Sequence, residues 1–175
     1  MKYHSRILLV LMVNAVLVIG FRQVNQLLCA HSLYLFTDAL LLIFGAFYLR
    51  AGHVVIIALI TGLFLDATRP VNFGSTAAWL MLLSLGIVLW RVRLRRENSA
   101  HITGVAMLAN LILFVVLAFS RYPAAIAFHT YFMRMLVDLL LSTLVIYCVT
   151  SRLVEWQYLL HYYLGEDVSN DPLSR

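Results

Sequence analysis

The chain has 175 residues, of which 63% are hydrophobic and 12% charged, with a mean hydropathy of +0.91. Soluble domains are nearer half apolar and a quarter charged, and one core of this size cannot hide so much apolar surface, so lipid must cover part of it. The net charge of +5 would suit nucleic acid, but every cation except Arg134 lies outside the apolar runs, which argues against that partner.

Ile7–Phe21 is the first apolar run, with Asn14 inside it. Basic residues precede it as in a signal peptide, yet Arg22 and Gln23 follow at once and no A-x-A site appears, so an uncleaved span is expected. The stretch Gln26–Cys29 also lacks the small residue expected before a lipidated cysteine. Leu33–Leu49 is the second run and carries Asp38. Val54–Leu65, the third, reaches only about 18 Å at ~1.5 Å per residue, against a hydrocarbon core of ~30 Å. Either its polar ends lie inside the protein mass or the segment is short or re-entrant. Phe73–Trp90 and Ile102–Phe119 follow, and Met133–Val149 closes the set with Arg134 and Asp138 inside it.

Period-2 alternation is absent, which argues against a β-barrel. The expectation is an all-α integral membrane protein of about six transmembrane helices with short loops, forming one domain over residues 1–164. Five spans and one re-entrant segment are the alternative. Residues 165–175 form a polar tail, expected to be disordered.

Six spans with a cytoplasmic N-terminus place both termini inside. The inner side then receives Lys2, Arg6, Arg50, Arg91, Arg93, Arg95, Arg96, Arg152 and Arg175, and the outer side Arg22, Arg69, Arg121 and Arg134. That distribution satisfies the positive-inside rule, and the opposite orientation violates it. Arg91, Arg93, Arg95 and Arg96 are therefore expected to anchor the chain at the cytoplasmic face.

The polar break at residues 66–74 interrupts two apolar runs. Ala58, Gly62 and Asp66 fall at i, i+4 and i+8 and share one helix face. Small residues at that spacing let a second helix approach closely, which is how helices associate in lipid. Asp66 is expected to end the third helix, three residues before Arg69 as a pairing partner, and Pro70 blocks further helix. Asn72 is a candidate cap for the fourth helix, and Gly74 a position of close backbone packing. Arg134 and Asp138 are also four apart on one face. With Asp38 and Asp66 they form either a polar core near the outer leaflet or a set of separately neutralised interfacial charges.

Asn14 and Asn110 are expected to hydrogen-bond between helices. The histidines are scattered, no H-E-x-x-H spacing occurs, and Cys29 and Cys148 fit no metal motif, so neither catalysis, a metal site nor a cofactor is expected. Opposite-face placement also argues against a disulfide between the two cysteines. Aromatic residues in Arg121–Leu136, and Trp156, Tyr158, Tyr162 and Tyr163 after the last span, suggest separate segments lying in the two interfaces.

Gly62, Asp66 and Gly74, set between two apolar runs, follow "LYLFTDALLLIFGAFYLR" and precede a basic loop. In this layout, from Leu33 to Trp156 and most sharply over Val54–Trp90, the chain resembles the MreD family of rod-shape-determining membrane proteins. The resemblance implies a non-catalytic scaffold of the cell-elongation, peptidoglycan-synthesising machinery in the bacterial inner membrane. It implies as partners an MreC-like bitopic protein, peptidoglycan synthases and an actin-like filament protein, besides the lipid bilayer. Phe36 and Thr37 stand where the family often has a proline, and the tail is acidic where the family's is basic. A second reading is the substrate-binding membrane subunit of an energy-coupling-factor vitamin transporter, similar in length and span count. Ala15 followed by Ile19 does not supply the A-x-x-x-A docking face typical of those subunits.

Overall fold

The computed structural model describes residues 2–68, 73–91, 99–120 and 128–163. Among them every regular element is a helix: α1 (Lys2–Cys29), α2 (Leu40–Tyr48), α3 (Ala51–Thr68), α4 (Ser75–Trp90), α5 (Ser99–Ser120) and α6 (Phe128–Tyr163). The protein is an all-α membrane protein. Helices α1, α3, α5 and α6 are long and apolar enough to cross a bilayer, and α4 is a shorter apolar helix of 16 residues. Hydrogen bonds from Asp66 to the start of α4, from Tyr131 to the end of α5 and from Arg91 to the end of α2 show the helices alternating in direction. Helices α1, α3 and α5 thus finish at the end of the bundle where α4 and α6 begin. This is the Asp66 end, and the opposite one is the Arg91 end.

Each long helix has an apolar outer face. On α1, Leu8, Met12, Val16, Ile19, Val24 and Leu27 are exposed, while Val10, Asn14 and Val18 are buried. On α6, Val137, Leu140, Leu144 and Tyr147 are exposed. In water such stripes would drive aggregation; in a bilayer they face solvent of their own kind.

The second apolar run departs from its expected form. Instead of one span over 33–49, helix covers only Leu40–Tyr48, about 13 Å at ~1.5 Å per residue. Every residue from Leu40 to Phe47 is buried, because α2 packs against all five other helices. A helix apolar all round belongs in such a position. The third run, expected to be the short one, is instead an 18-residue helix that includes the flanking Gly52, His53 and Asp66. At the other extreme, α6 runs unbroken for 36 residues where separate interfacial segments were expected at both ends. Neither proline nor glycine occurs between Phe128 and Tyr163, so nothing local stops it.

Two helix ends explain how the chain turns beside α2. Helix α1 closes with Leu33 N–H donating to the Leu28 carbonyl and Ser32 N–H to that of Cys29, the paired bonds of a Schellman turn. Ser32 occupies its left-handed position, with φ 56. At the far end of α2, Arg91 is buried rather than anchoring the chain at a lipid surface. Its guanidinium donates to the carbonyls of Ala46, at 3.0 Å, and Leu49. A cation is favoured there both by the orphan carbonyls and by the negative end of the helix dipole. Arg93, Arg95, Arg96 and the tail lie outside the described residues.

Opposite stability changes are expected at these ends. Ser32→Gly relieves the left-handed side chain and should stabilise by about 1 kcal/mol. Arg91→Leu leaves buried carbonyls unmet and should cost about 1–3 kcal/mol. Thermal unfolding of the detergent-solubilised variants checks both signs.

Candidate functional site

The backbone from Leu33 to Thr37 is neither helix nor strand, yet most of it is buried. Away from water its amides need partners, and for Tyr34, Leu35 and Phe36 side chains of α1 and α6 provide them. Asn25 binds Leu35 twice, its Oδ1 accepting from the Leu35 N–H at 2.7 Å and its Nδ2 donating to the Leu35 carbonyl at 2.9 Å. Asp138 Oδ1 accepts from Tyr34 N–H at 2.9 Å, and Ser142 Oγ from Phe36 N–H at 2.8 Å. The Ser142 hydroxyl in turn donates to the Asp138 carbonyl one turn back. Beyond the unwound stretch the first turn of α2 forms, with Leu40 and Leu41 N–H donating to the carbonyls of Thr37 and Asp38. Asn14 Nδ2 then joins three helices, reaching the Leu41 carbonyl at 3.0 Å and Thr61 Oγ1 at 3.1 Å.

A cavity lies on each side of this segment, and Tyr34 lines both. The first, about 330 Å³, is bounded by the last turns of α1 and α3 and includes Arg22, Asn25, Thr37, Asp38 and Thr68. The second, about 310 Å³, opens between α5 and α6 and includes Phe36, Phe114, Tyr131, Arg134 and Asp138. The four charges expected as a candidate polar core therefore do not converge. Asp38 lines the first cavity, Arg134 and Asp138 the second, and Asp66 neither. The unwound segment separates them, which no helical register of the second run foresees.

Asp66 is turned toward α4. Its Oδ2 accepts from Gly74 N–H at 2.9 Å and Ala77 N–H at 3.3 Å, and its Oδ1 from Thr76 N–H at 3.2 Å. A carboxylate on exposed amides at a helix start meets both their hydrogen-bonding need and the positive dipole end. Asp66 thus caps the next helix across the turn, the role the sequence suggested for Asn72. Arg69, Pro70 and Asn72 lie outside the described residues. Gly74 has open space around it, and its φ of 92 is the feature that favours glycine, rather than close packing.

Close packing occurs at Gly62. A Cβ built there would stand 2.3 Å from the Ala77 Cα, so the backbones of α3 and α4 touch. Ala58 is fully buried on the same face of α3. Ala58, Gly62 and Asp66 together make α3 and α4 one tightly coupled hairpin. Asn110, by contrast, is fully buried on α5, and its amide finds no hydrogen-bond partner among the described residues. Cys29 and Cys148 are both free. Among the described residues no group of three or more His, Cys, Asp and Glu is placed to hold a metal ion.

Asn25, Tyr34 and Ser142 have central places here and carry no signal of their own in the sequence. The nearest cue is Thr37–Asp38, a helix-start pair inside an apolar run. No family model matches the chain, and neither a curated protein nor a solved structure matches it.

The α3–α4 contact yields a graded test. Gly62→Ala must force the two backbones apart and should cost about 1–3 kcal/mol, whereas Gly86→Ala, with open space at its Cβ, should be near neutral. Asp66→Asn replaces one accepting oxygen by a donor facing an N–H, for a loss of about 1–3 kcal/mol. Melting temperatures in one detergent rank the three.

Proposed function

We propose that the chain is a non-catalytic scaffold of the bacterial cell-elongation machinery, seated in the inner membrane with both termini cytoplasmic. Its partner on this reading is an MreC-like bitopic protein, with peptidoglycan synthases and an actin-like filament in the wider assembly. The observation that carries the reading is the α3–α4 hairpin. The residues behind the resemblance, Gly62, Asp66 and Gly74, all act on backbone: one admits the neighbouring helix, one caps it and one turns the chain. A rigid hairpin that presents Ile56, Leu59, Ile60 and Phe64 on one helix and Trp79, Leu82 and Leu85 on the next suits a surface for other membrane helices.

A second reading, the substrate-binding subunit of an energy-coupling-factor type transporter, draws support from the paired cavities. Unwound backbone beside a cavity is where membrane transporters place substrate sites, and volumes near 300 Å³ hold a small molecule.

Gentle solubilisation from native membranes followed by mass spectrometry of copurifying proteins separates the two. The scaffold reading expects a bitopic periplasmic protein or a peptidoglycan synthase. Recovery of a coupling subunit with its ATPases would overturn it in favour of the transporter.

A further inference from the structure

The cavity between α5 and α6 holds two opposite charges that do not close on one another. Arg134 and Asp138 stand one turn apart, about 5–6 Å between Cβ atoms. Both line the cavity, yet among the described residues no ion pair joins them within 4.0 Å. Arg134 is exposed and has no hydrogen-bond partner there. Asp138 is buried, one oxygen holds the Tyr34 N–H, and the other has no partner among the described residues. A cation and an anion that attract across a gap without touching are only partly compensated inside a membrane helix, and a ligand that supplies the opposite pair completes them.

The rest of the lining narrows the ligand. Tyr34, Phe36, Phe114, Leu117 and Met135 make an apolar, largely aromatic floor, with Phe36 and Phe114 edge-to-face at 5.7 Å. Tyr131 hydroxyl donates to the Ala118 carbonyl at 3.0 Å and ties the mouth of α6 to α5. Next to the lining residues the outer faces of both helices are apolar, with Val115 exposed on α5 and Val137 on α6. The cavity therefore opens to lipid. Depth agrees. The candidate span within α6 is 32 residues, and at ~1.5 Å per residue it exceeds a ~30 Å hydrocarbon core by about 18 Å. Arg134 lies in the second turn of this helix, and an arginine near a helix end extends toward the phosphates.

We propose that this cavity binds an aminophospholipid of the phosphatidylethanolamine class. The phosphate meets the Arg134 guanidinium, the primary ammonium donates to the open oxygen of Asp138, and an acyl chain lies over the aromatic floor. The phosphate and ammonium of such a headgroup are joined by a short linker that matches one helical turn. A purely anionic headgroup leaves Asp138 facing a like charge. A trimethylated one has no N–H to donate. This site is independent of the scaffold reading and of its partners.

The test uses the full chain in detergent and native mass spectrometry, with phosphatidylethanolamine, phosphatidylglycerol and phosphatidylcholine of identical acyl chains. Ethanolamine lipid should be retained about tenfold over either competitor, and Arg134→Gln should reduce that retention by about tenfold, the weight of one charge-assisted hydrogen bond. Arg152→Gln, which removes an exposed arginine near the other end of the same helix, should leave it unchanged. Because Asp138 also holds Tyr34, its part is read from the choice of lipid rather than from substitution. Melting without added lipid confirms that Arg134→Gln keeps the fold. Equal retention of the three lipids, or indifference to Arg134→Gln, would overturn the proposal. So would equally strong binding of chainless glycerophosphoethanolamine, since the apolar floor would then have no role. None of these outcomes bears on which proteins copurify with the chain.

Discussion

A backbone amide inside a bilayer has no water to turn to, and the structure is arranged around one segment where helix does not supply the partner. Between the end of α1 and the start of α2 the chain unwinds while still within the protein. The amides there are closed by Asn25, Asp138 and Ser142. At the far end of α2, the carbonyls are closed by Arg91. An unmet buried amide or carbonyl costs about 1–3 kcal/mol, so these bonds decide whether a nine-residue helix can sit at the centre of the bundle at all. Five surrounding helices can cover it only because both its ends are finished by side chains from elsewhere.

The same logic governs most of the buried polar side chains whose partners are known. Asp66 caps α4, Asn14 reaches a carbonyl of α2, and Ser142 and Thr150 donate to carbonyls one turn back on α6. These groups bind backbone and leave little chemistry over for a ligand. Arg134 and the free oxygen of Asp138 depart from that pattern, and they do so at a cavity open to lipid. Among the described residues most buried polar groups with partners are thus consumed by the fold, Asn110 is buried without a partner, and Arg134 and Asp138 line a cavity.

Much of the architecture was legible in the letters. Composition alone dictates lipid as a solvent, and the spacing of Ala58, Gly62 and Asp66 marks the face where α3 meets α4. The unwound segment was not legible, and the reason is physical. Leu33–Leu49 is apolar enough for a span, and whether its backbone winds depends on Asp138 and Ser142, whose positions along α6 the local sequence does not encode. Arg91 misleads for a similar reason. It stands first in a run of arginines that reads as an anchor, and only the three-dimensional placement of α2 makes it a cap. Asp66 reaches the amides at the start of α4 from across a turn, a partnership that sequence adjacency does not signal. Local cues identify which residue types are needed, and tertiary placement decides which copy does the work.

The unwound segment also fixes an order in time. Tyr34 and Phe36 find their partners 104 and 106 residues further along the chain. During synthesis α1 through α5 are polymerised before Asp138 and Ser142 exist. Until then the Tyr34 and Phe36 amides can be served only by water or by the insertion machinery, and α2 is too short to hold a transmembrane position alone. A helix made after α1 through α5 is therefore the one that completes the first hairpin, and truncation within α6 leaves the interior, not the periphery, unfinished.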